Sequence, residues 1–492
     1  MAGFDRVKWL VLLTVIVGTF LGRLDQTIVN LALPKIMQDF SITLSEAGWI
    51  GTAYILANAV FVPVWGKLGD QIGRKRVYLW GFGLFIAGSV LAGLAWDLNS
   101  MLLFRVIQAI ASSADYPTAM AILAVTFREP RERSQALGLW SAAFAASAVF
   151  GPLIGGPLID NFGWRWVFLI NLPVGFLGMA MAMVFVQESS SERKDMKLDW
   201  AGAITLGIAL SSLVLVLDKG VEWGWASVES LACFAISALF FCVFYRIDSK
   251  HPQPIIDFKF FRISAFTGTL YNNFMVFMGM MGSMFIIPIF AQQFLGYDAT
   301  QTGLLFIPMA FCLMVAAPFG ASLVGKVEPR TVIAISTAVA AVGVILFTGL
   351  DPRSGPMDIV IPMAVMAAGM GFGMSQRTNI IAVAVPPEEI GVASSILALV
   401  RNIAGAFGIA IFSTIINESI KSNVLSIASD TVIRSTDPSV YGEAVALIIL
   451  KAQMDAFHLA FIAAAALLAI AALLATRMKV HERSSGVEVF VE

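Results

Sequence analysis

With 492 residues, 58% of them hydrophobic and only 13% charged, this chain is too apolar for a soluble protein of its length. A net charge of −1 gives no global field for nucleic acid. Cys233, Cys242 and Cys312 all fall in apolar stretches and read as small core residues, not as disulfides or a metal site. The class that remains is an all-α polytopic membrane protein.

Apolar stretches predict fourteen spans, at 10–33, 47–68, 77–96, 101–126, 135–159, 166–187, 200–218, 228–246, 264–290, 302–325, 331–349, 358–385, 391–417 and 457–477. The first is too long for a cleavable signal and runs into a polar motif without a small-residue cleavage site. An even count places both termini on one side. With the termini cytoplasmic, twenty-one Lys and Arg fall in inner segments and seven in outer ones, which fixes that orientation by the positive-inside rule. The other four, Arg23, Arg105, Arg377 and Arg401, lie within spans. The polar 188–199 segment divides the chain. The expected organisation is a six-helix bundle over 1–187, two extra helices with linkers over 188–262, and a second six-helix bundle over 263–492. The second bundle carries a long outer loop at 418–456, whose apolar Val440–Leu450 portion reads as an interfacial helix or cap. Pro63 through Asp70 is weakly repeated by Pro318 through Arg330, a pattern found in secondary transporters.

The first span closes on Leu24-Asp25-Gln26-Thr27-Ile28-Val29-Asn30-Leu31-Ala32-Leu33-Pro34. A carboxylate at that depth is costly and marks an ion or substrate path. In span four, Arg105, Gln108, Ser112, Asp115 and Tyr116 fall within about 100° of one another on a continuous helix. By helical rise, Arg105 is about 6 Å, Asp25 about 12 Å and Asp115 about 21 Å from the outer ends of their helices. Arg105 can therefore hold Asp25 ionised, and loss of that contact would let a proton bind. A static ion pair locking two helices is the competing reading. Arg23, with Gln26, Thr27 and Asn30, lies on a different face of the helix from Asp25, with Gly18, Gly22 and Val29. The sequence does not decide which face meets a cavity.

Three further patterns stand out. Gly66 to Arg76, with Asp70 and Arg74, reads as a tight inner turn whose acid caps a neighbouring helix or pairs with an arginine, against a plain basic anchor. Gly151-Pro152-Leu153-Ile154-Gly155-Gly156-Pro157 permits close helix approach and a bent axis. Met275, Met278, Met280, Met281 and Met284 follow Asn272-Asn273; they read as an adaptable lining or, more commonly, as lipid-facing or core-filling residues. No phosphate loop, metal-spaced histidine cluster or Ser/His/Asp arrangement is present, so no cofactor and no enzyme activity are expected.

These residues together resemble the fourteen-helix drug:proton antiporter branch of the major facilitator superfamily over essentially the whole chain. The residues that carry the likeness are Leu24 to Pro34; Trp49, Tyr54 and Pro63; Gly66 to Arg76; Arg105-x-x-Gln108; Gly151-Pro152-x-x-Gly155-Gly156; Trp164-Arg165-Trp166-x-Phe168-x-x-Asn171-x-Pro173; and Arg401-Asn402 with Gly405 and Gly408. Ala109, Ala111 and Ser147 stand where that pattern has glycines, and Asp115 is outside it. The resemblance implies alternating access of two bundles and proton-coupled multidrug efflux across the cytoplasmic membrane. Proton coupling would fall to Asp25, Arg105 and Asp115. Substrate binding would involve Asp25, Gln26, Asn30, Gln108, Asp115, Asn272, Asn273, Met281 and Arg401. Gating would fall to Gly66, Asp70, Arg74, Gly151, Pro152, Gly155 and Gly156. The expected partners are a lipophilic small molecule, plausibly cationic, together with protons and membrane lipid; a need for accessory envelope proteins stays open. A narrow-specificity metabolite or lipid exporter and a proton symporter remain as alternatives on the same fold. A non-transporting sensor is a third alternative, but it would be expected to add a soluble domain, and no cytoplasmic segment is long enough.

Overall fold

The protein is described by a computed structural model covering residues 2–42, 44–189, 199–252, 254–297, 299–386, 389–430 and 438–478. Sixteen α-helices are described. In the first part of the chain these are α1 (Ala2–Phe40), α2 (Leu44–Ile72), α3 (Arg74–Gly93), α4 (Leu98–Ser112), α5 (Asp115–Thr126), α6 (Pro130–Phe162), α7 (Trp166–Leu169) and α8 (Asn171–Phe185). Next come α9 (Trp200–Trp223) and α10 (Val228–Asp248). The remainder are α11 (Ser264–Phe294), α12 (Ala299–Ala321), α13 (Pro329–Leu346), α14 (Pro356–Ala384), α15 (Ile390–Asp430) and α16 (Pro438–Thr476). Among the described residues twelve helices are long and apolar enough to cross a membrane. The chain is a multi-pass membrane protein.

The expected fourth span is broken. α4 ends at Ser112 and α5 begins at Asp115, so the continuous polar stripe of the sequence reading does not exist as such. The cause is local. The Ser112 and Ser113 hydroxyls donate back to the Ala109 and Ile110 carbonyls, at 3.1 and 2.7 Å, in competition with the helix ladder. Pro117 then has no N–H for the Ser113 carbonyl, a loss tolerated only in a first turn. Asp115 gains a place at the new helix N-terminus, where the helix dipole favours negative charge.

The connection expected over 418–456 is also different. α15 and α16 run on as helices, leaving 431–437, outside the described residues, between them. No proline interrupts either helix beyond Pro438. Glu418 pairs with Lys421 and Lys451 with Asp455, both at 2.7 Å and at helical spacing. Most of the dividing segment, at 190–198, lies outside the described residues.

Packing positions the site. α1 lies against α6 and α8, and α4 against α2 and α3. α11 to α16 pack mainly on one another around an apolar cluster that includes Phe290, Met363, Phe412 and Phe457. Met275, Met280 and Met284 pack against this cluster, as core filling does. The two groups of helices meet through α2 and α5 on α15, and α6 on α12 and α14. α9 pairs with α10 and touches α2 and α15.

Candidate functional site: a sealed ion pair beside a polar cavity

Asp25 is 1% exposed and fully enclosed by α1, α4 and α8. Its Oδ2 accepts from Arg105 Nη1 at 2.6 Å, and its Oδ1 accepts from Gln108 Nε2 at 2.9 Å and Asn171 Nδ2 at 2.8 Å. Gln108 and Asn171 also donate to Ser89 Oγ, at 2.8 and 2.7 Å. The Arg105 guanidinium lies over the Tyr54 ring at 4.2 Å. A charge this deep persists only when paired and hydrogen-bonded, and here both conditions hold. Asp25 and Arg105, placed at compatible depths by helical rise, are in contact, and Gln108, on the same face as Arg105, joins them. Asn171 and Ser89 were not expected. An asparagine in the apolar stretch after Trp164-Arg165-Trp166 was the available signal for Asn171; Ser89 carried none.

The face of α1 that meets the cavity is that of Arg23. A polar cavity is bordered by Arg23 and Gln26 of α1, Asn58 of α2, Asp115, Tyr116, and Asn402 of α15. Asp25 and Gln108 do not border it. Arg23 Nη1 donates to Gln26 Oε1 at 2.9 Å, and its guanidinium lies 4.2 Å over the Phe144 ring. The Asp115 Oδ2 accepts from Thr19 Oγ1 at 2.8 Å, and Thr19 Oγ1 in turn accepts from the Trp140 indole at 2.8 Å. The other oxygen, Asp115 Oδ1, is buried and has no hydrogen-bond partner among the described residues.

The second group of helices contributes arginines. Arg401 Nη1 donates to Tyr116 Oη across the α5–α15 contact, and its guanidinium lies 5.0 Å over the Phe277 ring. Arg377 donates to Asn272 Oδ1 and Thr337 Oγ1, both at 2.7 Å. Asn272 also donates to the Ala471 carbonyl at 3.0 Å. Asn273 is fully buried, and its amide has no hydrogen-bond partner among the described residues. Met281, half-buried, faces Gly405 where α11 meets α15.

At the end of the molecule that carries the 66–76 turn, Asp70 reaches across to α15. Its Oδ1 accepts from Gly391 N at 3.3 Å and from Arg74 Nη2 at 3.0 Å, and its Oδ2 accepts from Val392 N at 3.0 Å. Asp70 thus caps a helix of the other group while pairing with Arg74. Gly66 is what lets the helices meet: a Cβ there would stand 2.6 Å from the Gly391 carbonyl oxygen. Gly151 does the same for α6 on α1, where a Cβ would collide with the Thr27 side chain. Gly155 is buried, while a Cβ on Gly156 would meet open space. The side chains of Asn30 and Pro152 lie outside the described residues.

A family model described as Major Facilitator Superfamily matches residues 15–409. The chain is 32% identical to the multidrug transporter protein MdtP of Bacillus subtilis (strain 168) over 419 residues, 84% of this chain and 76% of that one. It is 30% identical to the tetracenomycin C resistance and export protein of Streptomyces glaucescens over 415 residues, 84% of this chain and 77% of that one. Among solved structures, the human organic anion transporter MFSD10 (TETRAN) shares the fold with a TM-score of 0.68 at 15% identity, over 95% of this chain and 99% of that one.

Proposed function

Because the chain belongs to the Major Facilitator Superfamily and its relatives are multidrug resistance transporters, we propose that it is a proton-coupled efflux antiporter for amphipathic small molecules. It works in the cytoplasmic membrane with both termini cytoplasmic. It has fourteen spans, with α4 and α5 counted as one and α7 and α8 as another. The bundles 1–187 and 263–492 rock about the central cavity, and 188–262 stands beside them.

The observation that carries the reading is the pairing of a sealed carboxylate with a cavity-facing one on adjacent helices. Asp25 and Arg105 are held by neighbours from three helices, so a proton arriving at Asp25 would release Arg105 and loosen α1 from α4. Asp115 faces the compartment that holds the substrate. The Asp70 cap closes one end while the cavity is occupied or emptied from the other. A net inward charge gains about 2.3 kcal/mol per 100 mV, enough for one proton to drive useful export.

Purified protein in proteoliposomes tests this. A lipophilic dye substrate should move against its gradient when a pH gradient is imposed and equilibrate when it is collapsed. Transport equally fast with the gradient collapsed would falsify proton coupling.

A further inference from the structure

α9 and α10 form a hairpin beside the two groups of helices and bonded to both. α9 packs on α2 and α15, while α10 packs mainly on α9. The Ser237 hydroxyl of α10 donates to the Ala209 carbonyl of α9 at 3.0 Å, which ties the pair into one body. The turn that joins them is built from short-range bonds. Gly224 ends α9 at a φ of +90°, a conformation that residues with a side chain rarely adopt, and donates its N–H to the Gly220 carbonyl at 2.9 Å. Ser227 caps α10, accepting from Ser230 N at 3.1 Å, and Ser230 Oγ donates to the Gly224 carbonyl at 2.8 Å. Trp225 is fixed within this turn. Its ring stacks on Phe234, with centroids 6.4 Å apart, and lies so close over Gly220 that a Cβ there would collide with it.

So placed, the end of the hairpin reaches both groups. On one side, Thr52 Oγ1 of α2 donates to Asp218 Oδ2 at 2.9 Å, and Lys219 Nζ lies 5.7 Å from the centre of the Trp49 ring. Further along α9, Gly207 faces Val60 of α2 so closely that a Cβ would stand 3.0 Å from it. On the other side, the Trp225 indole N–H donates to Thr414 Oγ1 of α15 at 2.7 Å. By helical rise, Thr52 stands about 27 Å from Asp70 along α2, and Thr414 about 35 Å from Gly391 along α15. Both bonds therefore lie at the end of the molecule opposite the Asp70 cap. At the capped end, Lys259 pairs with Glu389 at 3.0 Å, but that lysine is 55% exposed and such a pair contributes little.

We propose that Trp225 and Asp218 are positioning residues that make the α9–α10 turn a strap across α2 and α15, favouring the arrangement in which the Asp70 end is closed. Rocking of one group of helices against the other changes the separation of α2 and α15 in opposite senses at their two ends. α9 is held to α2 by three contacts and moves with it, so the strain of rocking falls on the bond from Trp225 to Thr414. Apolar contacts between α9 and α15 can slide, but an indole hydrogen bond weakens once its atoms part beyond about 3.2 Å or its angle bends. Opening the Asp70 end therefore breaks it. A bond made in only one of two arrangements shifts their ratio toward that one by its own strength. The inference rests on the rocking motion of the efflux reading, and not on proton coupling.

Labelling of a cysteine at the capped end tests this. Ser395 of α15 is buried against Gly66. Ser395→Cys, in a chain that also carries Cys233→Ala, Cys242→Ala and Cys312→Ala, becomes reachable only when that end opens. The full chain in lipid nanodiscs is treated with a membrane-impermeant maleimide, without a pH gradient. Trp225→Phe keeps a ring and removes the N–H, and should speed labelling about fivefold, the ratio expected for one hydrogen bond of ordinary net strength. If that variant does not fold, Thr414→Val removes the acceptor to the same effect. Thr52→Val should speed labelling about threefold by itself, yet add nothing in the Trp225→Phe background, because a strap released at one end carries no load at the other. Unchanged labelling in Trp225→Phe overturns the proposal. A double variant whose effect is the product of the two singles also overturns it, since that is the mark of independent contacts. Ser395→Cys left unlabelled in every variant would overturn the strap together with the rocking it rests on. A chain that transports without proton coupling would still show the expected ratios, so the two readings fail separately.

Discussion

Asp25 and Asp115 are both carboxylates within the membrane, yet one is saturated with donors and the other is half bare. That difference changes what their substitutions should do. Asp25→Asn leaves Arg105 buried without a counter-charge, which costs about 3–5 kcal/mol when one partner of a buried pair is removed. The variant should therefore lose thermal stability as well as gradient-driven transport. Asp25→Asn combined with Arg105→Gln should regain most of the stability and none of the transport. Recovery of transport in the double variant would show that the pair only locks two helices. At the surface, Asp39 accepts from the Trp164 indole and from Arg165, both at 2.8 Å. The hydrogen bond from Trp164, then that from Arg165, holds the Asp39 carboxyl below its ordinary pKa of 3.8. Its contribution is thus complete above that pH and lost as pH falls through the depressed value. Because the pair is half exposed, the contribution is small, about 0.5 kcal/mol. Asp39→Asn should lower the melting temperature slightly at pH 7 and have no effect at the acid limit.

At the level of elements, the break between α4 and α5 decides which residues share a cavity. Arg105 and Gln108 turn inward to Asp25, while Ser112 accepts from the Tyr54 hydroxyl and Asp115 turns to the α1 side. Pro117→Ala restores an N–H for the Ser113 carbonyl and favours one continuous helix. It should raise thermal stability modestly while weakening substrate binding, because Asp115 would rotate away from the central cavity. Equal affinity in that variant would mean the break is incidental to the site. The latch is a second element-scale device. Gly66→Val drives a side chain into the α15 backbone, whereas Asp70→Asn removes only the charge from the cap. Both should increase labelling of cysteines placed on the cavity side of α15 from the 66–76 end. Asp70→Asn should do so with substrate affinity nearly unchanged. Labelling identical to wild type would reduce Asp70 and Arg74 to an anchor.

Across the whole molecule, what was legible depended on whether a single helix carried the information. The apolar runs and the distribution of Lys and Arg are properties of one segment at a time, and they give a multi-pass protein directly. Asp25 and Arg105 could be brought together because depth along a helix is a count of residues, and Gln108 follows Arg105 on the same helical face. Asn171 and Ser89 complete that network from two further helices, and depth alone does not say which helices are neighbours. Asp115 was placed on the same stripe as Arg105, since 100° per residue holds only while the helix continues; the serines and Pro117 end it. The contact of Arg401 with Tyr116 lies between residues separated by 285 positions, and nothing in either segment announces it. The interface also joins Ser134 to the Ala321 carbonyl at 3.0 Å and Asn58 to Asn402 at 3.4 Å, so the two groups of helices touch at several depths.

The cap at Asp70 has a consequence for how the protein's motion can be observed. The amides of Gly391 and Val392 are the donors it occupies, and both residues are buried. In a helix the first N–H groups have no partner of their own. These two protons are thus shielded only while the two groups of helices are closed at that end. In deuterated water their replacement should follow the open fraction of the population and not local fraying. The chain therefore carries a native, label-free clock for its transport cycle, readable by mass spectrometry of the peptide spanning the start of α15. Substrates that favour the closed arrangement should slow that clock, and those that favour opening should speed it.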